Sequence, residues 1–417
     1  MRNIADQWLR DVLSLLYRRR SLTRAEILRA TGLNAASASY TLRYLLDRGI
    51  VLKLGELPSG ASGRPRELLT LNAEAGYFLA VDLEGEFIRF ALSNFVGDIR
   101  CRWEEDLRFG EPLRMEQVAR GIRQVLRDLP PDRLSRVIAA GVSYPGTLDR
   151  DGLLTAVNLG WKKFPIKAEL ESTLDLPVFL EHDKHTCILA EQWLGALQNH
   201  QTGLFVIVER GIGLGVCVNG KPLEGWRNMA GEFGHCKFDS AADQVCKCGR
   251  RGCLEAIAST PAIIEQYVAR AGGGTAARPW RVTDIFERAR QGEPAACEVI
   301  AYVGRVLGSA ISNLIHLFNP EIIIVGGSVI AGRDLLLPVI EEQVRRFSLP
   351  NLLEGVKIAV SGLGLDIRLR GAASLAFRNS LADATLLQQI CGSAVGDLNS
   401  GKPKSGNGLI GMLAGST

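Results

Sequence analysis

The sequence has no apolar run long enough to cross a bilayer. Its uninterrupted apolar stretches, such as Ile322 to Val325 and Leu335 to Ile340, fall far short of the roughly twenty residues that a spanning helix needs. Its first residues, Met1-Arg2-Asn3-Ile4-Ala5-Asp6, hold neither an apolar signal core nor a cleavage site. A disulfide framework is missing too, since the nine cysteines are odd in number and four crowd into one short stretch. These absences point to a reducing compartment, with the cytoplasm as the expected location and no membrane partner. What remains is a 417-residue chain with 47% hydrophobic and 23% charged residues, sufficient for two or three domains with full cores.

The charge is unevenly spread. Residues 1–75 carry twelve Arg or Lys against seven Asp or Glu, which exceeds the net +4 of the whole chain. A basic excess confined to one end implies an anionic partner for that end alone. The same segment reads as a helix-turn-helix. Trp8, Leu9, Val12, Leu13, Leu15 and Leu16 recur at helical spacing. Thr23 with Glu26 forms a capping box for a second helix. Gly32 makes the turn, and Asn34 caps a third helix that runs through Leu46. Ile50 to Leu54 and Glu67 to Leu71 read as strands flanking the basic loop Ser59 to Arg66, which is the wing of a winged helix. Asn34, Ser37, Ser39, Tyr40, Thr41 and Arg43 are expected to meet bases and phosphates, and Arg64, between Gly63 and Pro65, a narrow minor groove.

One stretch carries metal chemistry. Glu232-Phe-Gly-His235 is followed by Cys246-Lys-Cys248-Gly-Arg-Arg-Gly-Cys253-Leu-Glu255, one imidazole and three thiols within nineteen residues. That spacing can close a tetrahedral Cys3His zinc site through His235, Cys246, Cys248 and Cys253, with Cys236 as a further candidate ligand. Four protein ligands leave zinc no open position, so the ion is expected to be structural, fixing Glu232 and Glu255 on either side.

From Gly76 onward strands and helices alternate. Tyr77–Asp82 and Phe87–Ser93 read as a hairpin, with further strands at 136–142, 178–180, 202–209, 214–218 and 321–325. Helices are expected at 114–129, 186–197, 260–270, 281–291 and 294–318. The last 27 residues hold seven glycines with Ser, Lys and Pro and read as a disordered tail.

These motifs together resemble the ROK family of repressors, open reading frames and kinases. The residues that carry the likeness are Glu232-x-Gly-His235, the Cys246–Glu255 loop, Glu181-His182-Asp183 before a helix, and Asn319-Pro320 through Gly326-Gly327. The resemblance implies an α/β chain: a winged helix-turn-helix (1–75) followed by a two-lobed actin-like ATPase fold, related to ribonuclease H. The lobes are expected at 76–182, completed by 366–385, and at 183–365, with the tail at 391–417. The attached winged helix looks like the family's repressors of sugar utilisation rather than its stand-alone kinases.

The resemblance also sets expectations for ligands. Kinase members carry an Asp-x-Gly-Gly-Thr phosphate loop whose backbone N–H groups reach ATP. Here the matching stretch is Asp82-Leu83-Glu84-Gly85-Glu86, and two carboxylates facing a triphosphate would repel it. Asp183 falls at the kinases' general-base position, vestigial in a non-kinase but still able to accept from a sugar hydroxyl. Asn158, His182, Asp183, Glu232, His235 and Glu255 are the residues so implied to contact sugar, and carboxylates suit vicinal hydroxyls. The expectation is therefore a repressor of carbohydrate genes. It binds an operator as a dimer or tetramer under control of a sugar or sugar phosphate. The alternatives are an ATP-dependent sugar kinase, or a regulator docked by a sugar-transport protein.

Overall fold

In the computed structural model, residues 6–57, 66–83, 87–107, 111–238, 244–272 and 279–392 are described. The expected wing loop with Arg64, the stretch Glu84-Gly85-Glu86 and nearly all of the expected tail lie outside these residues. Two compact units emerge, one formed by residues 1–186 with 368–417 and the other by 187–367.

The first unit begins with α1 (Asp6–Arg19), β1 (Ser21–Thr23), α2 (Arg24–Thr31), α3 (Ala35–Asp47), β2 (Val51–Leu57) and β3 (Arg66–Leu71). Local chemistry sets these boundaries. Thr23 and Glu26 close a reciprocal capping box on α2, Gly32 ends it at φ 67°, and the Asn34 side chain accepts from Ser37 N at 2.8 Å to start α3. Leu9, Val12, Leu13 and Leu16 of α1 are buried with Ile27 of α2 and Leu42 and Leu45 of α3. The strands pair in the order β1-β3-β2, a small antiparallel sheet beside the helices.

The rest of this unit holds β4 (Tyr77–Asp82), β5 (Phe87–Asn94), β6 (Ile99–Asp106), α4 (Met115–Leu126), α5 (Pro131–Leu134), β7 (Val137–Tyr144), β8 (Thr147–Leu148), β9 (Leu154–Ala156), β10 (Trp161–Phe164), α6 (Ile166–Leu174), β11 (Val178–His182) and the start of α7 (Asp183–Leu194). The main sheet runs β11-β7-β4-β5-β6, parallel from β11 to β4 and antiparallel from β4 to β6. Strand β6 was not expected, although Ile99, Cys101 and Trp103 alternate with Arg100, Arg102 and Glu104; the strand is largely exposed and charged, and charged side chains protect such a sheet edge.

The second unit holds β12 (Gly203–Val208), β13 (Ile212–Val218), β14 (Lys221–Pro222), α8 (Leu254–Ala258), α9 (Thr260–Arg270), α10 (Val282–Arg290), α11 (Pro294–Phe318), β15 (Ile322–Gly326), α12 (Arg333–Phe347), α13 (Pro350–Leu353) and β16 (Lys357–Val360). Its sheet, β14-β13-β12-β15-β16, repeats the order and the parallel and antiparallel pattern of the first. Such repetition is the doubled α/β body expected of the actin-like fold. Helix α11 has the length and apolar composition of a membrane span, yet more than half of that stretch is buried, and Val299, Val303, Leu307 and Leu314 lie in this unit's core. The chain returns to the first unit in α14 (Ile367–Ala382), followed by α15 (Ala384–Gly392).

Candidate functional site

The N-terminal face is built by α3. Asn34, Ser39, Tyr40 and Arg43 are exposed and Ser37 is half-buried, so their side chains lie along one accessible stripe of the second helix of the helix-turn-helix. Thr41 corrects the expectation. Its side chain is fully buried, because it shares the inward stripe of Ala38, Leu42 and Leu45, and it cannot meet DNA in this arrangement.

Within the first unit, the ends of the parallel strands gather polar groups. Asp82 closes β4, His182 closes β11, and Asp183 opens α7, where a carboxylate is favoured by the helix N-terminus. His182 Nδ1 lies 2.7 Å from Asp183 Oδ1. Burial alone would push the Asp183 carboxyl up, but the His182 contact, with the charges of His182, Lys184 and Arg368, holds it well below the usual carboxylate range. Asp183 is therefore a carboxylate at neutral pH, able to accept two hydroxyl hydrogen bonds. Next to it, His185 Nδ1 sits 3.1 Å from Glu181 Oε1. Asn158 stands exposed on a short 3-10 turn between β9 and β10.

Two residues that the sequence did not single out complete this end. Arg368, in the first turn of α14, donates from Nε to Asp82 Oδ2 at 3.1 Å, and both side chains are buried. Arg89 approaches the same oxygen at 3.9 Å. No local motif links positions 82 and 368; only the fold brings them together.

In the second unit, the donor atoms of His235, Cys246, Cys248 and Cys253 all lie within 4.8 Å of one another, a group that can hold a metal ion. Cys246 Sγ is 3.6 Å from His235 Nδ1, and Cys248 Sγ is 3.7 Å from Cys253 Sγ. Cys236 is outside this group and exposed. The isolated bridges Lys237↔Cys253 and Val245↔Arg251 fold the loop on itself, and Gly249 and Gly252 take φ of 81° and 73° at its turns. The thiols differ in acidity: burial pushes Cys246 up to about 12, whereas backbone donation from Arg250 lowers Cys248.

The two bracketing carboxylates take different roles. His235 turns Nε2 toward Glu232, at 3.9 Å from Oε2, so its ring faces the sulfur cluster with one nitrogen and a carboxylate with the other. Glu255, in the first turn of α8, accepts from Ile212 N at 3.1 Å through Oε2, and its Oε1 lies 3.9 Å from Cys246 Sγ. One oxygen of Glu255 is thus committed to the β12–β13 hairpin. Within the glycine-rich run Glu209–Gly215, Glu209–Gly211 forms that hairpin's turn, with Glu209 N donating to Gly211 O, and Ile212–Gly215 already belong to β13.

The ROK family model matches residues 78–379. The chain belongs to the ROK family. It is 27% identical over 389 residues to a putative xylose repressor of Caldicellulosiruptor sp., covering 89% of this chain and 95% of that one. It is 30% identical over 312 residues to a glucokinase of Halalkalibacterium halodurans, covering 72% of this chain and 94% of the glucokinase. Among solved structures, a ROK family transcriptional regulator described as a homolog of the E. coli MLC protein superposes with a TM-score of 0.74 at 26% identity, covering 94% of this chain and all of that one. The putative xylose repressor and the ROK family regulator thus align with nearly the whole chain, the glucokinase with a smaller share.

Proposed function

We propose that this ROK-family chain is a DNA-binding transcriptional repressor of carbohydrate-utilisation genes, acting in the cytoplasm as a homo-oligomer and controlled by a sugar or sugar phosphate. One observation carries this reading: a helix-turn-helix with an exposed Ser39-Tyr40-Arg43 stripe is built into the same chain as a ROK body. In the repressor reading α3 enters the major groove, with Asn34 and Ser37 at its N-terminus near phosphates, and Arg64 reaches into the adjacent minor groove.

The sugar reading rests on acceptors. Asp183, held ionised by its neighbours, takes one or two sugar hydroxyls, and His182 orients it. In the second unit Glu232 and His235 offer a further acceptor pair, while both oxygens of Glu255 are engaged, Oε2 by Ile212 N and Oε1 beside Cys246 Sγ. A ligand lacking a hydroxyl would leave a carboxylate desolvated without a donor, which is how such a site discriminates between sugars. Asn158 is assigned to the same ligand on the family resemblance.

The metal in this reading is structural zinc. Tetrahedral zinc with bonds of about 2.3 Å to sulfur and about 2.05 Å to nitrogen has S···S edges of about 3.8 Å and S···N edges of about 3.6 Å. Separations of 3.7 Å for Cys248–Cys253 and 3.6 Å for Cys246–His235 fit both. Bound zinc would supply a rigid anchor; the chain's own residues supply the recognition.

Kinase activity is the second reading, favoured by the 30% identity to a glucokinase. Against it stands the sequence Asp82-Leu83-Glu84-Gly85-Glu86, where two glutamates occupy the phosphate loop. A purified full-length chain should shift DNA from upstream of its own gene selectively at moderate salt and release no ADP with hexoses or amino sugars. Sugar-dependent ADP release without a selective DNA shift would replace the repressor with the kinase.

A further inference from the structure

Helix α14 joins the two functional ends of the first unit. Its first turn carries Arg368, whose guanidinium pairs with Asp82 at the end of β4, and both side chains are all but inaccessible. The same turn packs without slack. A Cβ on Gly371 would come within 2.0 Å of Thr186 O, in the first turn of the helix that Asp183 opens, and a Cβ on Gly141 of β7 would come within 1.9 Å of Ala372 O.

Nine residues beyond Arg368, about 13 Å along a helix, the side chains of α14 meet the N-terminal segment. Phe377 stacks on Tyr17 of α1 with centroids 4.1 Å apart, and the Tyr17 hydroxyl lies 3.3 Å from Ser374 Oγ; all three side chains are buried. Helix α15 extends the contact. Gln388 donates to Asp6 at 3.0 Å, and the Tyr44 hydroxyl on α3, the helix that presents the DNA-facing stripe, donates to Cys391 O at 3.1 Å.

We propose that Arg368 is a positioning residue and that α14–α15 is the strut through which occupancy of the Asp183 site sets the attitude of the DNA-reading helix. The inference rests on the sugar-controlled repressor reading and adds its route of control. The physical reason is the cost of separating Arg368 from Asp82: a buried ion pair broken on one side leaves an uncompensated charge, so strand end and helix move together. The glycine contacts leave no room for α14 to slide past β7 or α7. At the other end the Tyr17–Phe377 stack and the Tyr44 bond pass the same displacement to α1 and α3.

The test uses the full chain and three variants: the neutral pair Asp82→Asn/Arg368→Met, the conservative Arg368→Lys, and Phe377→Leu at the far end. The neutral pair avoids leaving one buried charge alone, so it is expected to fold. Fluorescence anisotropy would measure affinity for the upstream DNA with and without D-glucose, D-xylose or N-acetyl-D-glucosamine. The sugar effect in the wild type should be at least fivefold, within the usual range of allosteric coupling. It should fall below twofold in the neutral pair and in Phe377→Leu, and recover in Arg368→Lys. Phe377→Leu should keep wild-type sugar affinity, since it touches no sugar-binding residue. An undiminished sugar effect in both the neutral pair and Phe377→Leu overturns the strut.

A second readout needs no sugar. Hydrogen exchange of α1 and α3 amides should quicken about tenfold in the neutral pair; quickening confined to β4 and the first turn of α14 also overturns the strut. If none of the three sugars alters DNA binding in the wild type, the sugar-controlled reading fails, and the exchange experiment still decides whether α14 couples its two ends.

Discussion

Removing the proposed zinc should unfold one loop and leave the rest standing. Between residues 244 and 251 the only buried side chain is Cys246, so the loop has almost no core of its own. Ordering eight residues costs at least about 1 kcal/mol each in backbone entropy, near 8 kcal/mol in total. Its internal backbone bonds, Cys246 N to Arg250 O at 2.7 Å and Gly249 N to Cys246 O at 2.8 Å, return about 0.5–1.5 kcal/mol each. Five or more kcal/mol are left uncovered, and the proposed structural zinc, at roughly 10–16 kcal/mol in small peptides, would cover them. Cys248→Ser, or a strong chelator, should therefore abolish metal stoichiometry and raise exchange across 244–254 toward the unprotected rate. Exchange in β4, β7 and α1 should not change. Sugar affinity should fall as well, because His235 and Glu255 lose their anchor. A metal-free protein with wild-type exchange in this peptide would refute the reasoning, since the loop would then be holding itself.

Three smaller predictions follow from the same geometry. Arg43→Ala should weaken DNA binding at all sequences and reduce the slope of log affinity against log salt by about 0.9, as expected for one lost phosphate contact; an unchanged slope removes Arg43 from the interface. Asn34→Ala deletes the cap that accepts from Ser37 N at 2.8 Å and should cost about 1 kcal/mol of stability, read by urea unfolding; a change under a few tenths contradicts the capping role. Asp183 has a depressed folded-state pKa, so its ionic stabilisation is complete above the unfolded value of 3.8 and is lost as pH falls through the lower folded value. The stability gap between wild type and Asp183→Asn should shrink as pH falls below about pH 4; a gap unchanged from about pH 5 down to about pH 2 contradicts a depressed Asp183.

What could be read from sequence was local. Thr23, Gly32 and Asn34 announce their helix ends because caps are short-range chemistry, and the cysteine loop announces its cluster because its ligands are near in sequence. Helix α11 was legible because its apolar residues recur over 25 positions. Thr41 was misjudged on residue type alone. Its spacing from Ala38, Leu42 and Leu45 already placed it on the inward stripe, and periodicity outweighs polarity for so small a side chain. Strand β6 was passed over although Ile99, Cys101 and Trp103 alternate with charged neighbours, because most of its residues are charged and nearly all are exposed. The Asp82–Arg368 pair was out of reach altogether, since 286 positions separate residues that only the folded sheet and the returning helix bring together.

The central claim, a repressor whose DNA affinity a sugar controls, is tested most directly by one titration. The whole chain, supplied with zinc, would be titrated onto labelled DNA from upstream of its own gene at fixed salt. The titration would be repeated with saturating D-glucose, D-xylose and N-acetyl-D-glucosamine. The account predicts tight, sequence-selective binding and at least a fivefold change in affinity with one of these sugars. Binding that is unselective and indifferent to every sugar would contradict it.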